Sequence, residues 1–141
     1  MADETPLRFL LVDDDDVDVM NIRRAFEKNR VTNGLFVATD GKDALEKLRA
    51  GEVPIQSLMV LLDLNMPRMN GTDFLREVRK DPTLAPLPVI VLTTSSEEKE
   101  IVEAHHLNVA GYLPKPVEFT ELADLMATVH QNWSFEKLPE V

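Results

Sequence analysis

Five short apolar runs in this chain alternate with stretches of helical spacing, and that alternation restricts the fold more than any single motif. Leu7 to Val12, Leu35 to Thr39, Leu58 to Asp63, Val89 to Leu92 and Gly111 to Leu113 read as strands. The intervening helices are predicted from apolar residues meant to face inward. These are Val17, Met20, Ala25 and Phe26 in the first helix, ending near Lys28-Asn29, and Ala44, Leu45 and Leu48 in the second, ended by Gly51. Phe74, Leu75 and Val78 mark the third, and a fourth runs from Glu97 to about Leu107. Leu122, Leu125, Met126 and Val129 fall at i, i+3, i+4 and i+7 and mark the last helix. Asn33-Gly34 and Asp40-Gly41 read as turns, and Asp81 to Pro88, with three prolines, reads as loop. A strand–helix alternation of this kind calls for an α/β fold with a parallel sheet, helices on both faces and right-handed crossovers.

A flavodoxin-like, doubly wound sheet of strand order 2-1-3-4-5 fits five such units, and its ligands bind beyond the carboxyl ends of the strands. The residues at those ends are Asp13, Asp14, Asp63, Thr93 and Lys115. Asp63 closes an apolar run that has no packing use for a carboxylate, and Met66-Pro67 breaks regularity directly after it. Three carboxylates brought together repel and call for a cation. Oxygen ligands alone favour Mg2+. A hydroxyl from Thr93 and the ammonium of Lys115 suit phosphoryl oxygens, so the set could stabilise phosphoryl transfer onto Asp63.

Leu11-Val12-Asp13-Asp14, Asp63-Leu64-Asn65-Met66-Pro67 with Asn70-Gly71, Val91-Leu92-Thr93 and Gly111-Tyr112-Leu113-Pro114-Lys115-Pro116 resemble, in order, the receiver domain of bacterial two-component response regulators. The resemblance divides the chain into an N-terminal tail (1–6), a receiver domain (7–130) and a C-terminal extension (131–141). It implies that Asp63 is the phosphoacceptor for a sensor histidine kinase. It also implies that Asp14 binds Mg2+ directly, Asp13 through water and Asn65 through its backbone carbonyl. Lys115 would contact the phosphoryl group, and the Lys115–Pro116 peptide would be cis. Thr93 and Tyr112 would form the switch. Its readout would be the face of the fourth helix, fifth strand and fifth helix, which binds a downstream protein or a second copy of the chain. Thr94 stands where many receivers carry a smaller residue, which bears on phosphate lifetime.

The net charge of −10 argues against nucleic acid and against an anionic membrane surface. There is no cysteine, and the acidic N-terminus is unlike a signal peptide, so a cytoplasmic protein is expected. The residues after Val129 are too few for an effector domain, which points to a stand-alone receiver. Trp133, Phe135 and Leu138 in that extension either pack on their own domain or form a dimer or partner contact. The extension and the Thr93 to Ser96 hydroxyl run resemble single-domain regulators paired with phytochrome kinases, the narrower expectation for the kinase. An unphosphorylated interaction scaffold is one alternative. A Mg2+-dependent phosphatase is another, but the acid it needs two residues after the nucleophile is here Asn65. An EF-hand reading of Asp14, Asp16 and Asp18 fails at Val19 and Ala25. Adjacent His105 and His106 point to different sides of a helix, which counts against a phosphohistidine carrier.

Overall fold

The apolar runs become strands Arg8–Val12 (β1), Leu35–Ala38 (β2), Leu58–Asp63 (β3), Val89–Thr93 (β4) and Gly111–Pro114 (β5). Asp16–Lys28 (α1), Gly41–Arg49 (α2) and Gly71–Lys80 (α3) follow the first three strands. The computed structural model describes residues 8–28, 34–64, 69, 71–93, 109–115, 118 and 120–121. The expected helices after Ser96 and around Leu122 to Val129, and the extension from 131, lie outside the described residues.

All four neighbouring strand pairs are parallel, and the sheet order is β2-β1-β3-β4-β5. Parallel neighbours cannot be joined by a tight hairpin, and α1, α2 and α3 serve as the described crossovers, each laid on a face of the sheet. Alternation then divides the core in two. Leu10 and Val12, Leu58, Val60 and Leu62, and Val89 and Val91 meet α2 and α3. Phe9 and Leu11, Met59 and Leu61, Ile90 and Leu92, and Leu113 meet α1 through Ile22 and Phe26. The Phe9 and Phe26 rings meet edge to face at 4.9 Å, worth about 1 kcal/mol beyond their burial.

Val17 and Met20 do not face inward but are 63% and 49% exposed, and the buried stripe of α1 is Ile22 and Phe26, with Val19 packed beside them. The sequence holds apolar residues at both phases of this helix, and the helix start decides between them. Asp15 sets that start, because its Oδ1 accepts from the backbone N–H of Val17 (2.8 Å) and of Asp18 (3.4 Å). The Asp40-Gly41 turn signal likewise proves to be a cap: Asp40 Oδ1 accepts from Asp43 N–H at 2.8 Å and Gly41 begins α2. That helix ends as expected at Gly51 (φ 78°), where Gly51 N–H reaches Leu48 O and Glu52 N–H reaches Lys47 O. Residues 81–88 are loop, closed by turns such as Leu84 N–H to Asp81 O (3.1 Å).

Candidate functional site at the carboxyl edge of the sheet

Strand register alone brings two carboxylates together. Phe9 pairs with Met59 and Leu11 with Leu61 on the α1 face. Two residues further on, the same face carries Asp13 beyond β1 and Asp63 at the end of β3. Asp13 N–H still bonds Ala38 O at 3.0 Å, so the sheet ladder continues to the acid itself. Both side chains are buried, at 1% and 5% exposure, and Asp14 stands exposed at the rim. Asp13, Asp14 and Asp63 each present a carboxylate oxygen within 4.8 Å of the others.

Lys115 enters from the end of β5. Its Nζ lies 3.3 Å from Asp13 Oδ2 and 3.3 Å from Asp63 Oδ2. A third carboxylate, which sequence reasoning did not assign to the site, is nearest of all: Asp18 Oδ2 accepts a hydrogen bond from Lys115 Nζ at 2.7 Å. The sequence does not reveal this because α1 carries apolar residues at two phases, and only the phase that buries Ile22 and Phe26 turns Asp18 toward β5.

Among the described residues, one ammonium and four carboxylates leave this edge strongly negative. Burial, together with the charges of Asp63 and Asp18, pushes the Asp13 carboxyl up to about 6, against the Asp15 N–H bond and the Lys115 charge. Burial would lower the Lys115 ammonium, but the Asp18 hydrogen bond and the charges of Asp13, Asp63 and Asp18 hold it above the ordinary lysine range. Asp13 Oδ1 accepts from Asp15 N–H at 2.9 Å, while its Oδ2 is buried with no aligned donor among the described residues. A buried carboxylate oxygen left without a donor is unfavourable by itself. It is what a site for a hard divalent cation requires, and the all-oxygen donor set fits Mg2+.

Tyr112 is half-buried on the edge strand β5, packed against the core on the α2 and α3 side. Thr93 ends β4 beside Pro114. Asn65, Thr94 and the Lys115–Pro116 peptide lie outside the described residues. Gly71 sits directly behind the acid edge. A Cβ there would lie 2.6 Å from Leu64 Cα and 2.7 Å from Asp63 O, so only glycine lets α3 start this close.

Comparison with known proteins gives an independent result. The model of the response regulator receiver domain matches residues 9–127. The probable methanogenesis regulatory protein FilR2 of Methanothrix harundinacea is 37% identical over 132 residues, 92% of this chain and 85% of that protein. Response regulator Rcp1 of Synechocystis is 30% identical over 94% of each chain. Among solved structures, the bacteriophytochrome response regulator AtBRR superposes with a TM-score of 0.80 at 32% identity, over 92% of this chain and 96% of that one. The phosphorylated cyanobacterial phytochrome response regulator RcpA (TM-score 0.71, 31% identity, 95% and 99%) is also similar. So is the Mn2+-bound form of Rcp1 (0.69, 29%, 96% and 100%). Relatives of this chain thus include single-domain regulators associated with phytochromes.

Proposed function

This chain belongs to the response regulator receiver domain family, and from that premise we propose that Asp63 accepts a phosphoryl group from a sensor histidine kinase. The observation that supports this most is the meeting of Asp13, Asp14 and Asp63 with an ammonium 3.3 Å from the Asp63 carboxylate. In the step, an Asp63 oxygen forms the new bond to phosphorus. The bond from phosphorus to the donor nitrogen breaks, and its electron pair leaves with the imidazole. Asp63 is suited to this because it ends a strand whose register carries it to the sheet edge, where it is 5% exposed. Lys115, 3.3 Å from Asp63, would meet charge on a phosphoryl oxygen. Asp13, Asp14, Asp63 and the Asn65 carbonyl would hold Mg2+, which when bound supplies charge neutralisation for the transferring group. The protein in this reading is a signalling element that catalyses only its own phosphorylation and dephosphorylation, acting in the cytoplasm.

A new dianion at Asp63 would draw Thr93 toward it, with Tyr112 turning inward behind it as the switch. The readout would be a phosphorylation-dependent contact with a downstream protein or a second copy of the chain, through the β5 side or residues 131–141. The resemblance to AtBRR and RcpA supports a phytochrome-type kinase as donor. The exposed apolar pair Val17 and Met20, on the helix that begins beside the site, suits a protein partner over a small metabolite.

The test is intact mass after incubation with acetyl phosphate, with and without Mg2+, for the wild type and Asp63→Asn. One phosphoryl gain that needs both Mg2+ and Asp63 is expected. No gain in rapidly quenched wild type would move the protein to the unphosphorylated scaffold reading. Transfer from a purified bacterial phytochrome kinase, compared with an unrelated histidine kinase, tests the narrower assignment.

A further inference from the structure

Lys115 makes its shortest bond away from the residue it is expected to serve. Its Nζ is 2.7 Å from Asp18 Oδ2, against 3.3 Å from Asp63 and from Asp13. Asp18 is free for this because of local structure. An acid in the first turn of a helix ordinarily turns back to cap backbone N–H groups. Here Asp15 already accepts from Val17 and Asp18 N–H, so the Asp18 carboxylate can project across to β5.

The consequence concerns competition. Lysine is a mobile point charge on a flexible stem. Without Asp18, its nearest carboxylates would be Asp13 and Asp63, whose oxygens a divalent cation also needs. We infer that Asp18 is the positioning residue for Lys115, drawing the ammonium to the α1 side of the site so that it stays beside Asp63 without occupying the metal-ligating oxygens. This rests on the reading of Asp63 as phosphoacceptor only for its effect on phosphorylation. The effect on cation binding stands independently.

The experiment is calorimetric titration of Mg2+ into the full chain, followed by the acetyl phosphate rate at saturating Mg2+. The variants are Asp18→Asn, Asp18→Glu, Asp16→Asn, Lys115→Met and the Asp18→Asn/Lys115→Met pair. Asp16 is exposed one turn-start away and controls for loss of a nearby charge. Asp18→Asn should weaken Mg2+ binding and slow phosphorylation, each roughly tenfold, the size of one charge-assisted hydrogen bond. Asp18→Glu keeps the charge and should stay within about threefold of wild type, and Asp16→Asn likewise, as expected of exposed charge changes. In the Lys115→Met background, Asp18→Asn should lose most of its effect on Mg2+ affinity, which a purely structural or through-space role would not produce. Equal effects of Asp18→Asn with and without Lys115, or equal effects of Asp18→Asn and Asp16→Asn, would overturn the inference. Failure of the wild type itself to gain phosphate would instead overturn the proposed function, and the Mg2+ titrations would still decide the role of Asp18.

Discussion

The two edges of the sheet treat charge in opposite ways. At the amino edge, Arg79 is largely withdrawn from water, yet its Nη1 donates to Ala85 O (2.8 Å) and Leu87 O (3.0 Å), closing the loop before β4. Arg8 Nη1 similarly donates to Gln56 O at 3.1 Å, and Asp81 accepts from Thr83 N–H and pairs with Arg49. Charge there ties loops down. At the carboxyl edge, Asp13 Oδ2 is buried without an aligned donor among the described residues, and Asp13, Asp18 and Asp63 all pair with one lysine while Asp14 stands beside Asp13 and Asp63. The same sheet therefore stabilises itself at one end and holds strain at the other, a division expected where a site needs charge that folding alone would not choose.

That contrast can be broken by substitution. The largest effect should come from Gly71→Ala, where the new Cβ meets backbone atoms at 2.6 and 2.7 Å that cannot rotate aside. A loss of about 3 kcal/mol in urea unfolding is expected, with weakened Mg2+ binding because Asp63 O is one of the displaced atoms. Arg79→Met should destabilise by about 2 kcal/mol, since two loop carbonyls lose their donor in a poorly hydrated place. Asp13→Asn should have the opposite sign. In metal-free protein at pH 7 it should stabilise by about 1 kcal/mol, less than the full shift implies because the edge borders water.

The smallest effect sharpens the comparison through pH. The folded state raises the Asp13 carboxyl, so its burden on stability is present above about 6 and is relieved as pH falls from there towards the unfolded value of 3.8. Asp81 behaves in reverse. Burial acts to raise it, but the Thr83 and Leu84 N–H bonds and Arg49 win, so it lies below 3.8. Its contribution is present above the unfolded value and is lost as pH falls through the folded one. Asp81→Asn should therefore cost less than about 1 kcal/mol at pH 7, and that difference should vanish in acid. Unfolding curves from pH 7 to pH 3 on the two variants would show gains and losses fading in different windows.

Much of this was legible in the residues. Apolar runs ending in acids placed Asp13 and Asp63, because parity and register in a parallel sheet carry a side chain to a defined face. Gly51 and the 81–88 loop were readable from backbone preference alone. The phase of α1 was not. Val17, Val19, Met20, Ile22, Ala25 and Phe26 supply apolar residues on more than one side, and only the Asp15 cap and the Phe9 contact select Ile22 and Phe26. With that phase wrong, Asp18 could not be seen to meet a lysine 97 positions away.

The proposed function requires the described carboxyl edge to carry excess negative charge for a divalent cation. Thermal melting of the wild type and Asp13→Asn, each with and without Mg2+, tests it most directly. Without Mg2+ the variant should melt higher, by about 4 °C for a change of about 1 kcal/mol in a chain of this size. Added Mg2+ should raise the wild type and leave the variant nearly unmoved. A variant that melts lower without Mg2+, with both proteins responding equally to the ion, would contradict the account.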